Sequence, residues 1–405
     1  MLSIRLGGQK VHSEIVFIYD NFRVGGAELM IERIAQGFLE RKYPVTLLYG
    51  VGDEGMLNRI KALGVNVTRI TNWDNAKSFK KYLNECKNEM ICFTFLWNEY
   101  VKVRCIPNKR IKPIFFAVHF KALAVGDSNS HLKKRIVKRI MSPRIEEGLK
   151  SHNIICMDEQ TCRYCEKYYG FNNIEYTIIR IPIHIKSSKR HEKSNNILSI
   201  SRFEIPFKGY LLGLIDVFSD IKKEIPDAKL TIISYGENIE KLMEKISKSS
   251  YKKDIMLMGK TSYDELDKYY EKAGIYIGMG TTVLDASLRG IPSIAVRAYT
   301  EEVLVEDWFF NKPNSVAVDD WIDVNKKTIY RLLENYFKWN SMEYETYSEK
   351  SRHVIVENYG VDHIINSLIE NIKRSKKNSF SWFYTLLAKF YELKLTKKRR
   401  KMYEI

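Results

Sequence analysis

The chain has 405 residues, 45% of them hydrophobic and 12% aromatic, and a formal net charge of +17. This length predicts two domains of nearly equal size, and the apolar content places the chain among well-packed globular proteins. Its longest uncharged apolar runs, such as Met90 to Trp97, fall short of the ~20 residues that span a bilayer.

The opening MLSIRLGGQK lacks the apolar core of a secretory leader, and the six cysteines are scattered, which together predict a cytoplasmic, reducing location. Cys162 and Cys165 form a lone CxxC with no second pair or histidine to complete a metal site. The charge is uneven. From Asn371 to Ile405 there are eleven Lys or Arg against two Glu, so half of the basic excess lies in the last tenth of the chain. That distribution argues against a nucleic-acid-binding body.

Glu14 to Tyr19 reads as a buried strand. The loop NFRVGGAE follows, then a helix with Leu29, Ile31, Ile34, Ala35 and Phe38 at helical spacing. Strand, glycine loop and helix form the first unit of a doubly wound domain, in which Gly25 and Gly26 either let a ligand approach the backbone or only close a turn. Strands at Val45 to Tyr49, Val65 to Ile70 and Met90 to Leu96 alternate with helices at Gly55 to Leu63 and Ala76 to Asn88. A parallel sheet of this kind binds ligands at the carboxyl ends of its strands. The strand Pro113 to Val118 delivers His119 to such an end, where it meets a ligand or caps the strand.

Lys121 to Ser130 is a loop and Leu132 to Met141 a helix in which Leu132, Ile136, Val137 and Ile140 alternate with five cations and no acid. This basic helix, 132–141, suits an anionic membrane surface or a solvated face. A strand at Asn153 to Met157, a helix at Glu159 to Tyr169 stopped by Gly170, and a strand at Tyr176 to Ile181 complete the first domain. The polar stretch Lys186 to Asn196 is the expected linker, giving domains 1–187 and 196–360 with a helix and basic aromatic tail at 361–405.

The second domain opens with a strand at Ile197 to Ile200 and the loop SRFEIPFKG, whose Arg202 and Lys208 suit a diphosphate unless both are solvated. A helix begins at Leu211, a strand at Lys229 to Ser234 leads to the turn at Gly236, and a further strand is expected at Ile255 to Met258. Thr261 or Ser262 caps the next helix, with Glu265 in its first turn. Then comes YIGMGTTVLDASLRGIPSIAV: a strand at Tyr276 and Ile277, a turn at Gly280, a helix from Val283 to Leu288 and a strand from Ile291 to Val296. Amides near Gly280, Thr281 and Thr282 at a helix start form an anion seat, and Asp285 one turn on is placed for ribose hydroxyls; an ordinary strand-turn-helix is the plainer reading. Beyond Val296 the pattern loosens into helices near Val324 to Trp339, Glu343 to Glu357 and Val361 to Lys373. The tail 371–405, with FSWFYTLLAKFYELKL between basic clusters, either lies on an anionic membrane or docks on the first domain.

In combination these pieces resemble the retaining glycosyltransferases of family four, over roughly Glu14 to Lys373. The resemblance implies the GT-B fold, an α/β architecture of two facing Rossmann-like domains with parallel sheets and a C-terminal helical extension. GGAE at Gly25 to Glu28 resembles the first glycine loop, against the donor. His119 is similar to the histidine that contacts the transferred sugar. SRFEIPFKG resembles the signature whose Arg and Lys hold the donor diphosphate, here Arg202 and Lys208. IPDAKLTIISYGEN is similar to the segment whose glycine, here Gly236, borders the base, and Asp285 stands where the second acid of a paired-acid motif binds ribose. Eight residues earlier the family has another acid where this chain has Ile277, and the Asn-Gly pair that usually ends the first domain appears as Pro182, Ile183 and His184.

The resemblance implies a hexosyltransferase of polysaccharide biosynthesis. It would move a sugar from a nucleotide sugar, a UDP-sugar, to a saccharide acceptor with retention of configuration and no cofactor; the basic helix and tail add the expectation of a lipid-linked acceptor at the inner face of a bacterial membrane. No DxD triplet occurs in the chain, so a bridging metal is not expected. Loss of the first acid supports a second expectation, a catalytically silent subunit that binds an active partner.

Overall fold

The structure is a computed structural model that describes residues 3–6, 9–23, 25–73, 75–85, 88–124, 131–185, 192–379 and 381–403. Most of the expected linker, 186–191, and the loop 125–130 lie outside the described residues. The chain divides into two compact units, Met1–Pro182 with Val361–Ile405, and Ile183–Gly360. The helices after Val361 therefore belong to the first unit and do not stand as a separate tail domain.

In the first unit seven strands form one sheet in the spatial order Thr177–Ile178, Ile154–Cys156, Ile111–Ala117, Met90–Thr94, Glu14–Ile18, Val45–Tyr49 and Asn66–Arg69. Every pairing is parallel, with Ile15 opposite both Val45 and Ile91. The central strands are continuous apolar runs because both faces are covered, and Ile15 to Ile18 are fully buried. One face packs Val16, Leu48, Phe79, Leu83 and Cys92, and a second cluster gathers Tyr100, Phe115, Ile145, Ile154 and Tyr384.

Two helices of this unit depart from the sequence expectation. Trp97–Arg104 is an added helix after the Met90–Thr94 strand, and the basic helix runs from His131 through Pro143 to Lys150. The returning segment is fastened by side chains that donate to backbone carbonyls, two toward it and one from it. Lys112 Nζ donates to Ile372 O at 2.8 Å, Asn153 Nδ2 to Lys376 O at 2.9 Å, and Asn378 Nδ2 to Ile106 O at 2.6 Å. Helix Gly26–Glu40 meets helix Val361–Arg374 so closely that a Cβ on Gly37 would lie 2.5 Å from Ile365 Cγ1.

The second unit has a six-stranded sheet in the order Ile255–Met258, Lys229–Tyr235, Asn196–Arg202, Ile275–Gly278, Ser293–Val296 and Val305–Trp308. The first five strands are parallel; the last is an antiparallel edge strand that the sequence pattern does not announce. The capping box at Ser262 and Glu265 is present, over a 3-10 turn at Tyr263–Leu266. Among the described residues no helix is long and apolar enough to cross a membrane.

Gly37→Leu is expected to force the two helices apart and lower unfolding stability by about 1–3 kcal/mol in urea titration. Pairing it with Ile365→Ala should recover part of the loss, since the two side chains would then share one space.

Candidate functional site

In the second unit the loops that follow Asn196–Arg202, Lys229–Tyr235 and Ile275–Gly278 leave neighbouring parallel strands on one edge of the sheet. They hold one another in place. Phe203 N–H donates to Tyr235 O at 2.7 Å, and Ile205 N–H to Asn238 Oδ1 at 3.1 Å. Gly236 makes this approach feasible: its φ is +139°, and a Cβ there would sit 2.3 Å from Phe203 O. On the other side Tyr276 Oη donates to Thr282 Oγ1 at 2.6 Å, and Thr282 Oγ1 lies 3.3 Å from Ile200 O. Thr282 therefore spends its hydroxyl on joining two loops.

Lys208 N–H donates to Glu204 O at 2.7 Å, which curls SRFEIPFKG into a turn. Arg202 ends its strand and is half-exposed, with Nε 2.7 Å from Glu204 Oε1. Lys208 Nζ lies 5.6 Å from the centre of the Phe207 ring, and no carboxylate among the described residues pairs with it. Burial, and then the Arg202 charge, push its ammonium down to about 8. Glu204 pulls in the opposite direction but bonds to Arg202. The result is a lysine kept short of counter-charge, which an anion would correct.

Gly280 caps helix Thr281–Leu288 with φ +79° and ψ −155°, a conformation that glycine alone adopts readily, and no atom lies within 4 Å of where its Cβ would be. Its amide donates to Val316 O at 2.9 Å, whereas the amides of Thr281 and Thr282 meet no acceptor among the described residues. Of the three amides expected to seat an anion, two are thus left without an acceptor among the described residues. Asp285 is 2% exposed, and its Oδ1 accepts from Tyr263 Oη at 3.1 Å. Tyr263 covers the carboxylate, so a ribose hydroxyl would reach it only by replacing that phenol.

In the first unit His119 follows the strand Ile111–Ala117 and is half-buried. Its Nδ1 accepts the Lys121 amide at 3.1 Å, which makes Nε2 the protonated nitrogen of the neutral ring. The ring stacks on Phe120 at 4.7 Å. Burial, with Lys121 adding to it, pushes the imidazole down to about 4, so it is a neutral hydrogen-bond donor at pH 7. Gly25 has an extended backbone, and its missing Cβ leaves room for Glu28, whose Oε2 would stand 2.6 Å away; Gly26 begins helix Gly26–Glu40 and is exposed.

Two residues escaped the sequence reading. Glu99, on the added helix Trp97–Arg104, is fully buried and accepts the Asp20 amide at 2.9 Å and the Leu96 amide at 3.2 Å. It clamps loops at the carboxyl ends of two adjacent strands, and burial pushes its carboxyl up to about 8 against the pull of those amides. Tyr299 is a left-handed non-glycine at φ +59°; its amide donates to Phe207 O at 2.9 Å and its ring lies 5.1 Å from that of Phe207. Spacing alone signals neither, because both act through distant loops. The CxxC cysteines are buried beside Cys156, where burial raises the Cys165 thiol far above its ordinary range, and they serve as core. Among the described residues no three His, Cys, Asp or Glu side chains converge as a metal site.

Residues 181–353 match the family described as Glycosyl transferases group 1. The domain match covers most of the second unit, including the SRFEIPFKG loop and the Gly280 turn. A curated relative, the Poly(glycerol-phosphate) alpha-glucosyltransferase of Bacillus subtilis (strain 168), is 27% identical over 180 residues. That alignment takes in 41% of this chain and 26% of the relative, about a quarter of its length. Among solved structures, a mutant of S. aureus TarM in complex with Fondaparinux, alpha-GlcNAc-glycerol and UDP has a TM-score of 0.65 at 12% identity, covering 89% of this chain and 99% of that one. The pneumococcal O-GlcNAc transferase GtfA in complex with UDP and GlcNAc gives 0.62 at 11% identity, over 89% and 99% of the two chains. A glycosyltransferase from Rickettsia africae ESF-5 gives 0.65 at 13% identity, over 89% and 98%. The fold is GT-B, with a Rossmann-like parallel sheet in each unit and helices at the C-terminus.

The imidazole of His119 is expected to titrate near pH 4 in an NMR titration, well below the ordinary value of 6.5. With the folded pKa lowered, the unfolded chain takes up this proton first, so acidification between those values should erode stability through this group. A midpoint near 6.5 would show that the ring is not desolvated as described.

Proposed function

We propose that the chain is a glycosyltransferase that binds a nucleotide sugar, a UDP-sugar, and transfers its sugar to a saccharide or lipid-linked acceptor. The observation that carries this reading is Lys208, a desolvated ammonium without a carboxylate of its own, in the loop that the group 1 domain match spans. The UDP bound in the TarM and GtfA structures supports the choice of ligand.

In this reading Arg202 and Lys208 hold the two phosphates, with Arg202 shared between donor and Glu204, and the amides of Thr281 and Thr282 add fixed positive ends. Gly236 leaves the loop after Lys229–Tyr235 low enough for the base, and Asp285 takes a ribose hydroxyl in place of Tyr263. The family resemblance assigns Gly25 and Gly26 to the donor and the Nε2–H of His119 to a sugar hydroxyl. The anomeric carbon breaks its bond to the diphosphate oxygen and forms one to the acceptor oxygen, on the same face, while the acceptor proton passes to the departing phosphate. Negative charge grows on that diphosphate as the bond lengthens, and fixed cations stabilise it without reorganisation. The cations take the part that a bridging metal would otherwise play, so transfer needs no metal.

One observation favours a second reading, a silent subunit that supports an active partner. Ile277, at the position of the family's first acid, is fully buried in a central strand and offers nothing to a sugar. Transfer or donor hydrolysis by the purified chain decides between the two, since a silent subunit shows neither alone.

A screen of nucleotide sugars should raise the melting temperature by several degrees for the true donor, as ligand at ~100 times its Kd adds about 2.7 kcal/mol. Lys208→Ala and Arg202→Ala should each weaken donor binding, with a loss in kcat/KM of about 10²-fold or more for Lys208→Ala. Retention of the full shift in both variants would contradict the assignment. Because the ammonium titrates near 8, donor affinity should fall as pH rises through that value and should hold in Lys208→Arg.

A further inference from the structure

We propose that one face of the first unit is a docking surface for an anionic lipid bilayer, formed by exposed apolar stripes on helices His131–Lys150 and Trp382–Tyr403. Leu132, Ile136 and Ile140 are 69%, 51% and 49% exposed, and Trp382, Leu386 and Phe390 are 73%, 63% and 60% exposed. Each set recurs every four residues, so each is one continuous stripe on a single helix face. Neither stripe is an unpacked core face. The opposite sides of the same helices already bury Met141, Ile145 and Leu149, and Tyr384 and Ala388, in the unit's core. The two helices touch, with the Arg144 guanidinium 4.7 Å from the centre of the Phe383 ring. Six large side chains held in water on adjacent helices exceed the isolated apolar residues that surfaces ordinarily carry.

The charges select the occupant. On a helical projection Arg135 and Arg139 fall beside Leu132 and Ile136, and both are exposed. From Leu132 to Arg144 the helix has no acid. Lys134 and Lys138 line its flank, 5.4 and 5.8 Å from the Tyr168 ring. Along the second helix Lys389 is exposed, and the sequence continues through Lys394, Lys397, Lys398, Arg399, Arg400 and Lys401 against Glu392 alone. Aliphatic and aromatic side chains interleaved with cations match the boundary between anionic headgroups and acyl chains, where each kind finds its partner. A soluble polyanion would satisfy the cations and leave the stripes in water. No helix of the described residues crosses a bilayer, so the association is at the surface. Neither Lys208 nor the donor takes part in this docking, which is independent of the proposed transfer.

The test is co-flotation of the full chain with vesicles of phosphatidylcholine alone and of the same lipid with roughly a third phosphatidylglycerol. Binding is expected to the anionic vesicles only. Leu132→Ser with Ile136→Ser and Ile140→Ser, and separately Trp382→Ser with Leu386→Ser and Phe390→Ser, should each lower partitioning at least about tenfold. Because these side chains are exposed, circular dichroism and melting temperature should be unchanged. No flotation would overturn the proposal. So would binding that survives both triple variants but vanishes with Arg135→Glu and Arg139→Glu, which would mark a purely electrostatic site for polyanions. A dimer in sedimentation that the triple variants dissolve, without vesicle binding, would assign the face to contact between copies and equally overturn it.

Discussion

A lysine denied its counter-charge governs the second unit. Lys208 is brought down against the Phe207 ring by the turn that its own amide closes on Glu204, and the nearest carboxylate is engaged by Arg202. Two cations on one short loop, one of them desolvated, repel each other until an anion arrives. The arrangement is unfavourable for the protein alone, and the diphosphate of the proposed reading would relieve it.

The surrounding backbone keeps that arrangement from relaxing. Asn196–Arg202 is an interior strand, paired along its length with Lys229–Tyr235 and also with Ile275–Gly278, so the point at which the loop begins is fixed by register. Gly236 permits the neighbouring loop to press on Phe203, the Tyr276 and Thr282 hydroxyls tie the Gly280 turn to Ile200, and Tyr299 holds Phe207 from the other side. The amides of Thr281 and Thr282 are left pointing outward from a helix start, as dipole and geometry require. In the first unit Glu99 plays a comparable part, gathering the amides that follow two central strands.

Much of this could be read from the chain: Val45–Tyr49 is a near-continuous apolar run as a covered parallel strand requires, helix Glu159–Tyr169 ends at the Gly170 stop, and the edge strand Ile255–Met258 also has the bounds that its pattern predicts. The parts that could not be read depend on distant partners. Trp97–Arg104 shows no helical stripe because it is buried on nearly all sides, with Lys102 donating to Trp73 O and Arg104 over the Tyr384 ring. Pro143 suggests a helix end, yet the helix passes through it, held by Met141, Ile145 and Leu149 in the core. The edge strand Val305–Trp308 half-buries both of its middle residues, Glu306 and Asp307, so it lacks the alternation of a half-buried strand. At the site, Arg202, Lys208 and Gly236 were legible as loop residues after strands. That Tyr263 covers Asp285, and that Val316 takes the Gly280 amide, are tertiary facts with no local signature.

On the proposed function, the Lys208 ammonium lacks its counter-charge until a diphosphate supplies it. Calorimetry of UDP binding at pH 8, repeated in buffers of different ionisation enthalpy, counts the protons taken up on binding. With an ammonium near 8 before binding, uptake of about half a proton per nucleotide is predicted, disappearing in Lys208→Arg. Binding with no proton uptake, or uptake unchanged in Lys208→Arg, would show that Lys208 does not hold the diphosphate in this way.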